Sequence, residues 1–265
     1  MLCDLNVVWP EELSGGSKKT TTLTPIFTKT LTVVQQLGYT CVALNVILTG
    51  KLPANYQSPI NVSLVQSKFP SLKVLSRVTL VLDESSQHQN FTTLYSQFDL
   101  VAVRPLTEKG LQSACSALEV DIISLDVSKR LPFYLRHRTV GAAIERGIKF
   151  EIAYGSSTTS ADGRRHVITN AAALVRATRS RGIIITSEAR SPYCCRGPYD
   201  VTNLATIWGL DHMRARDSIG RTSELVVKNG QLRQCSYKQV IQVPEDVIKR
   251  QQESDGPPNT KKQKT

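Results

Sequence analysis

From Val74 onward the sequence alternates short apolar or β-branched runs with segments of helical spacing, and no two-residue turn signal joins one strand-like run to the next. Residues 74–82, 100–103, 121–125, 150–154 and 182–186 read as strands. Residues 91–98, 108–118, 140–146 and 164–180 read as the helices between them. Upstream, residues 1–9 and 40–48 are strand-like and flank a helical stretch at 26–37 that stops at Gly38. Strands that are never joined by hairpins must pair in parallel through right-handed crossovers, either in an open doubly wound sheet or in a closed barrel. About seven strands in 265 residues favours the barrel, a TIM-barrel-like α/β fold. No eighth strand is evident.

The remaining segments fit around that frame. Residues 11–24 read as a polar loop, and residues 51–71, with Pro53, Pro59 and Pro70, as an irregular connection. Residues 199–209 and 211–228 supply closing helices, the second capped near Gly230. The expected division is one barrel domain over 1–240 and a disordered basic tail over 241–265, whose end, GPPNTKKQKT, is either a nuclear signal or a solvated tail. No stretch has the length and apolarity of a membrane span, and the N-terminus lacks a secretion pattern, so a soluble intracellular protein is expected.

The formal net charge of +11 is unevenly placed. Residues 1–127 hold 9 Lys plus Arg against 10 Asp plus Glu, whereas residues 128–240 hold 19 against 8, and 15 of those 19 are arginine. Arginine forks match phosphate bidentately and stack on bases, so the asymmetry points to a polyanion, most simply nucleic acid. Three groups of arginines are candidates. Residues 129–138, KRLPFYLRHR, interleave Arg130, Arg136 and Arg138 with Phe133 and Tyr134. The two rings are expected to pack under the barrel rim. Arg165, Arg176 and Arg179 share the face of the long helix opposite Val167, Ala171, Leu174 and Thr178; the alternative is an ordinary solvated face. Residues 187–197 form a loop with Arg190 and Arg196, ahead of Pro198 at a helix start, where unpaired amides and the dipole attract anions. That arrangement resembles the phosphate pocket after the seventh strand of a barrel. A solvated capping loop is the alternative.

Catalytic signatures are sparse. His88, His137, His166 and His212 fall in helices or loops, and neither a paired H-x-H, a nucleophile elbow nor a glycine-rich phosphate loop is present. Asp4, Asp83 and Asp126 lie at or inside strand ends, where they act either as caps or as magnesium ligands. The six cysteines contain no C-x-x-C pair, and the adjacent Cys194 and Cys195 read as free thiols, one of them open to activation by nearby arginines.

The stretches MLCDLNVVWP, SRVTLVLDE, FDLVAVRPLTEKGLQSAC, VDIISL, RLPFYLRHR, AIERGIKFEIAYG and RGPYDVTNLATIWGL, in this order, resemble the thirty-kilodalton protein subunit family of ribonuclease P and ribonuclease MRP. The resemblance covers about residues 1–230. It implies a barrel related to the polymerase-and-histidinol-phosphatase class of metal phosphoesterases, whose first strand carries D-x-H-x-H. Here Asp4 remains while Asn6 and Val8 stand at the histidine positions, so the metal site is expected to be lost. The resemblance further implies a non-catalytic role beside a catalytic RNA that removes the 5′ leader of precursor tRNA with RNA-held Mg2+, or supports rRNA processing. The implied partners are that RNA, precursor tRNA indirectly, and a small α/β subunit in a heterotetramer; the implied compartment is the nucleus. The matched motif positions are Arg130, Pro132, Arg146, Gly147, Arg196, Gly197, Pro198 and Asp200. Arg130 and Arg196 are assigned to RNA, and Gly147, Pro198 and Asp200 to structure. The rival reading is a stand-alone metal-dependent phosphoesterase.

Overall fold

The structure, a computed structural model, describes residues 1–10, 23–50, 56–83, 92–237 and 240–241. Seven strands form one parallel sheet in chain order: β1 Cys3–Val8, β2 Cys41–Leu48, β3 Lys73–Leu82, β4 Leu100–Pro105, β5 Ile122–Ser124, β6 Lys149–Ala153 and β7 Ile183–Thr186. The ends of the sheet meet where Val7 bridges Ala189 in parallel and the Val8 amide donates to the Ala189 carbonyl at 3.0 Å, so the sheet curls into a nearly closed barrel. A barrel has no free edge to expose, which is what seven apolar parallel strands require.

Helices cover the outside: α1 Pro25–Gln36, α2 Val62–Lys68, α3 Thr92–Gln97, α4 Glu108–Ser116, α5 His137–Glu145, α6 Gly155–Thr159, α7 Ala161–Thr178, α8 Pro198–Ile207, α9 His212–Ile219 and α10 Arg221–Cys235. Polar caps set their starts. The Thr24, Asn61, Thr107 and Ser160 side chains accept from the amides of Phe27, Leu64, Gly110 and Gly163, each three residues on. On α7 the residues Val167, Ala171, Leu174 and Thr178 are buried against the sheet, as their spacing predicts. Among the described residues no helix is long and apolar enough to cross a membrane.

Several sequence expectations are corrected here. The connection at 51–71 is not wholly irregular, because Asn61 caps the seven-residue α2. The helix expected at 164–180 starts earlier and is preceded by α6, while the single helix expected at 211–228 is two, broken at Gly220. The cap expected at Gly230 is also wrong: α10 runs on through it to Cys235. A two-residue antiparallel pair, Ser236–Tyr237 with Val240–Ile241, follows α10. The polar loop at 11–22, His88 and the tail from 242 onward lie outside the described residues.

Inside the barrel two layers are stacked. The lower, at the N-terminal ends of the strands, is apolar: Cys3, Leu5, Cys41, Ala43, Leu75, Leu100, Ala102, Ile122 and Ile184, closed from below by Val226 and Val227 of α10. The upper layer is polar and fully buried. Arg77 of β3 makes a bidentate pair with Glu151 of β6, Nη1 to Oε1 and Nη2 to Oε2, both 2.6 Å. Asn6 and Thr186 donate to Glu151 Oε1 at 3.2 and 2.8 Å, Asn45 donates to Asn6 at 2.7 Å, and Thr79 donates to Asn45 at 2.8 Å. Burial alone would raise the Glu151 carboxyl, but the Arg77 charge and the hydrogen bonds of Arg77, Ser124 and Thr186 hold it down at about 2.

Candidate nucleic-acid interface

The C-terminal rim of the barrel sits directly above that polar layer. Arg104, at the end of β4, donates from Nη2 to Glu188 Oε1 at 3.0 Å and to Ser124 Oγ at 3.2 Å, closing the mouth between β4, β5 and the loop after β7. That loop is fixed by backbone contacts: the Ser187 amide donates to Asp4 Oδ1 at 3.1 Å, and Glu188 adopts a positive φ of 50°. The Asp4 carboxyl, buried and accepting from Ser187 and Asn6, is pushed up to about 6 by its burial. Asp4 therefore anchors the rim loop, and Asp126 caps its own turn through the Ser128 amide at 3.2 Å. Among the described residues no group of three His, Cys, Asp or Glu is arranged to hold a metal ion.

Beyond the rim, Arg190 is exposed and has no ion-pair partner among the described residues. It stands between two clefts of about 530 and 460 Å³ that share Val8 and Trp9; one continues along Pro25 and Phe27, the other along Leu48 and Tyr56. Arg196 is exposed too, but its Nη1 donates to the carbonyls of Tyr193 and Cys195 at 2.7 and 2.8 Å. Both hydrogens of that nitrogen are engaged, which leaves the Nε and Nη2 edge to meet a phosphate. The expected helix start is present as well, with Pro198 in the first turn of α8 and Gly197 as a cap without a side-chain hydrogen bond. Asp200 stands in that first turn beside Gly197, so a carboxylate of the chain already occupies the positive end of the dipole. Arg196 and Arg164 flank an adjoining cleft of about 400 Å³ floored by Tyr154, Leu204 and Trp208.

The other arginines singled out in the sequence do not converge on this spot. Arg130, Arg136 and Arg138 lie exposed along the β5–α5 connection and the start of α5, and Arg136 pairs with Glu108 at 3.3 Å. That connection is tied to α7 by Asn170, whose amide donates to the carbonyls of Val127 and Lys129 at 3.0 and 2.7 Å. Phe133 packs inward as expected, but Tyr134 does not: it is 86% exposed beside Arg130. Arg165 pairs with Asp162 at 3.7 Å near the start of α7, and Arg176 and Arg179 lie at its far end, so this face is divided rather than continuous. Arg146 is structural, donating to the carbonyls of Cys115 and Leu118 at 2.9 and 2.7 Å. Cys194 and Cys195 are free thiols, as expected, and both are buried. Burial pushes the Cys195 thiol up to about 12, which speaks against the alternative that the arginines activate it. The residues that sequence reasoning missed are Arg77, Glu151, Asn170 and the rim arginine Arg104.

With this geometry in hand, comparison with known proteins decides the family. The RNase P subunit p30 family profile matches residues 1–235. The chain belongs to that family. It is 41% identical over 243 residues to the probable ribonuclease P protein subunit 3 of Schizosaccharomyces pombe, covering 91% of this chain and 98% of the relative. It is 36% identical over 248 residues to ribonuclease P/MRP protein subunit RPP1 of Saccharomyces cerevisiae, covering 91% and 84%. Among solved structures, a chain of archaeal ribonuclease P with mature tRNA superposes with a TM-score of 0.66 at 15% identity, over 91% of this chain and 97% of that one. The barrel fold described above is therefore shared with that archaeal chain.

Proposed function

We propose that this p30-family chain is the barrel subunit through which ribonuclease P, and the related ribonuclease MRP, holds part of its RNA during 5′-leader removal from precursor tRNA and rRNA processing. The observation that carries the reading is the family match over residues 1–235, which spans the barrel and the helix that closes it. The subunits it resembles belong to ribonuclease P and MRP, and an archaeal ribonuclease P chain of the same fold was solved with tRNA. The exposed Arg190, the free edge of Arg196, and Arg130 and Arg138 supply the phosphate contacts. Mg2+ for the cleavage is held by the RNA. A small α/β subunit of the same particle forms a heterotetramer with this chain, and the particle works in the nucleus.

The polar interior supports a scaffolding role over a phosphoesterase. The Glu151 carboxylate and the Asn6 and Asn45 amides, with Arg77 and Thr186, are engaged in hydrogen bonds to one another, so among the described residues these inward groups are already occupied. In a particle reconstituted with its RNA, Arg190→Ala with Arg196→Ala is expected to weaken binding about tenfold to a hundredfold. The plot of log K against log salt should become shallower by about 0.7–0.9 for each phosphate that is no longer neutralised. Unchanged affinity and slope would remove these two residues from the RNA interface. Turnover of phosphoesters by the purified chain with Mg2+ or Mn2+ and no RNA would favour the enzymatic alternative instead.

A further inference from the structure

A second set of arginines gathers at the opposite end of the molecule. At its C-terminus α7 is capped by Arg179 in the left-handed region (φ 54°), Ser180 follows at φ 60°, and β7 begins at Ile183. Side chains with a Cβ seldom adopt that conformation, and two in succession mark a turn held by its surroundings. One of the holding contacts comes from α9: Arg214 Nη1 donates to the Arg179 carbonyl at 3.1 Å. Arg214 thus brings a fourth guanidinium to a turn that already carries Arg176, Arg179 and Arg181, and all four residues are exposed. Cations at a helix C-terminus partly serve the helix dipole, but that dipole is equivalent to about half a charge against four here. Among the described residues none of the four is in an ion pair with a carboxylate.

We propose that Arg176, Arg179, Arg181 and Arg214 form a second RNA-phosphate site at the N-terminal end of the barrel, so that the subunit grips two separate stretches of RNA. The proposal rests on the RNA-holding role given above. Its geometry follows from α7, an 18-residue helix that carries Arg164 beside the rim cleft at one end and Arg176 at the other. At about 1.5 Å per residue, the 12 residues from Arg164 to Arg176 span roughly 18 Å. That separation is about two Debye lengths at physiological salt, so the two clusters act on phosphates largely independently. Arginine alone, with its planar fork, makes up this cluster, which suits phosphate oxygens better than scattered carboxylates.

The test uses the full chain bound to in vitro transcribed ribonuclease P RNA, with affinity titration and hydroxyl-radical footprinting. Arg176→Glu with Arg181→Glu reverses two charges whose side chains bond to no described residue, and the lysine pair Arg176→Lys with Arg181→Lys keeps the charge. The glutamate pair is expected to lower affinity at least tenfold and to expose one RNA segment, while the segment that depends on Arg190 stays protected. The lysine pair should keep most of the affinity. Loss of the same segment as in Arg190→Ala, or an unchanged footprint, overturns the second site. So does an intact RNA footprint with release of a protein partner, which would assign the cluster to an acidic subunit. Wild-type chain that protects no RNA at all sinks the RNA-holding role itself, and the second site with it.

Discussion

Arg77→Met is expected to cost about 3–5 kcal/mol of folding stability, because it leaves the fully buried Glu151 carboxylate without its counter-charge. Equilibrium urea unfolding measures the loss. The pH dependence identifies its cause. The folded Glu151 value, about 2, lies below its ordinary 4.5, so its contribution is present above pH 4.5 and lost as pH falls through about 2. Without Arg77 the remaining large influence is burial, which raises the carboxyl, so the gap between wild type and variant should narrow on acidification. Asp4 works the other way: its folded value of about 6 lies above the ordinary 3.8, so its contribution is present below 3.8 and lost as pH rises through about 6. Wild-type stability should therefore rise between about pH 2 and 4.5 and fall again towards 6 from these two groups. The double variant Arg77→Met with Glu151→Leu should recover most of the loss, since paired removal leaves no buried charge. A single variant within about 1 kcal/mol of wild type would show that the pair is not what fills the barrel.

The same pair marks the boundary of what the sequence reveals. Alternating apolar runs and helical spacing disclose the barrel because parallel strands buried on both faces need continuous β-branched residues, and that pattern is local. The Arg77–Glu151 pair is not local: the partners are 74 residues apart in different strands. A signal was nonetheless available. Leu75, Arg77 and Thr79 alternate with Val78 and Leu80, and Lys149, Glu151 and Ala153 alternate with Phe150 and Ile152, so each charge falls at an inward position of a strand. Two opposite charges at inward positions of a small barrel have to meet. The rim site was legible only in part. Composition disclosed the arginines and Pro198 the helix start, but not that Arg196 would turn back onto its own loop or that Asp200 would take the helix end. The stripe on α7 followed from periodicity, whereas the arginine added at its far end, Arg214, is delivered from another helix. Short α2 escaped because seven residues between prolines carry too little period to register.

Gly230→Val is expected to cost about 3 kcal/mol or more, by lifting the helix that closes the barrel floor. A Cβ at this position would stand 2.5 Å from the Asp99 carbonyl oxygen and 2.9 Å from Leu100 Cδ2, and the first of these is backbone that cannot turn aside. The helix is tied down at the same place. Arg233 donates from Nη2 to the Asp99 carbonyl and to Asp121 Oδ2, both at 3.0 Å, and lies 4.9 Å over the Tyr95 ring, while Gln234 donates to the Phe98 carbonyl at 3.1 Å. Moving α10 away therefore strains these contacts and uncovers Val226 and Val227, each worth about 1.5–3 kcal/mol when fully buried. Gly230→Ala separates this account from a simpler one. If Gly230 were an ordinary helical glycine with open space around it, alanine would stabilise the protein by about 1 kcal/mol through helix propensity. Close approach of the α10 backbone to β4 predicts the opposite sign, a loss of about 1–3 kcal/mol from overpacking. Thermal and urea unfolding of the alanine variant decide between the two, and a gain in stability would mean that α10 does not seat against the strand ends as described.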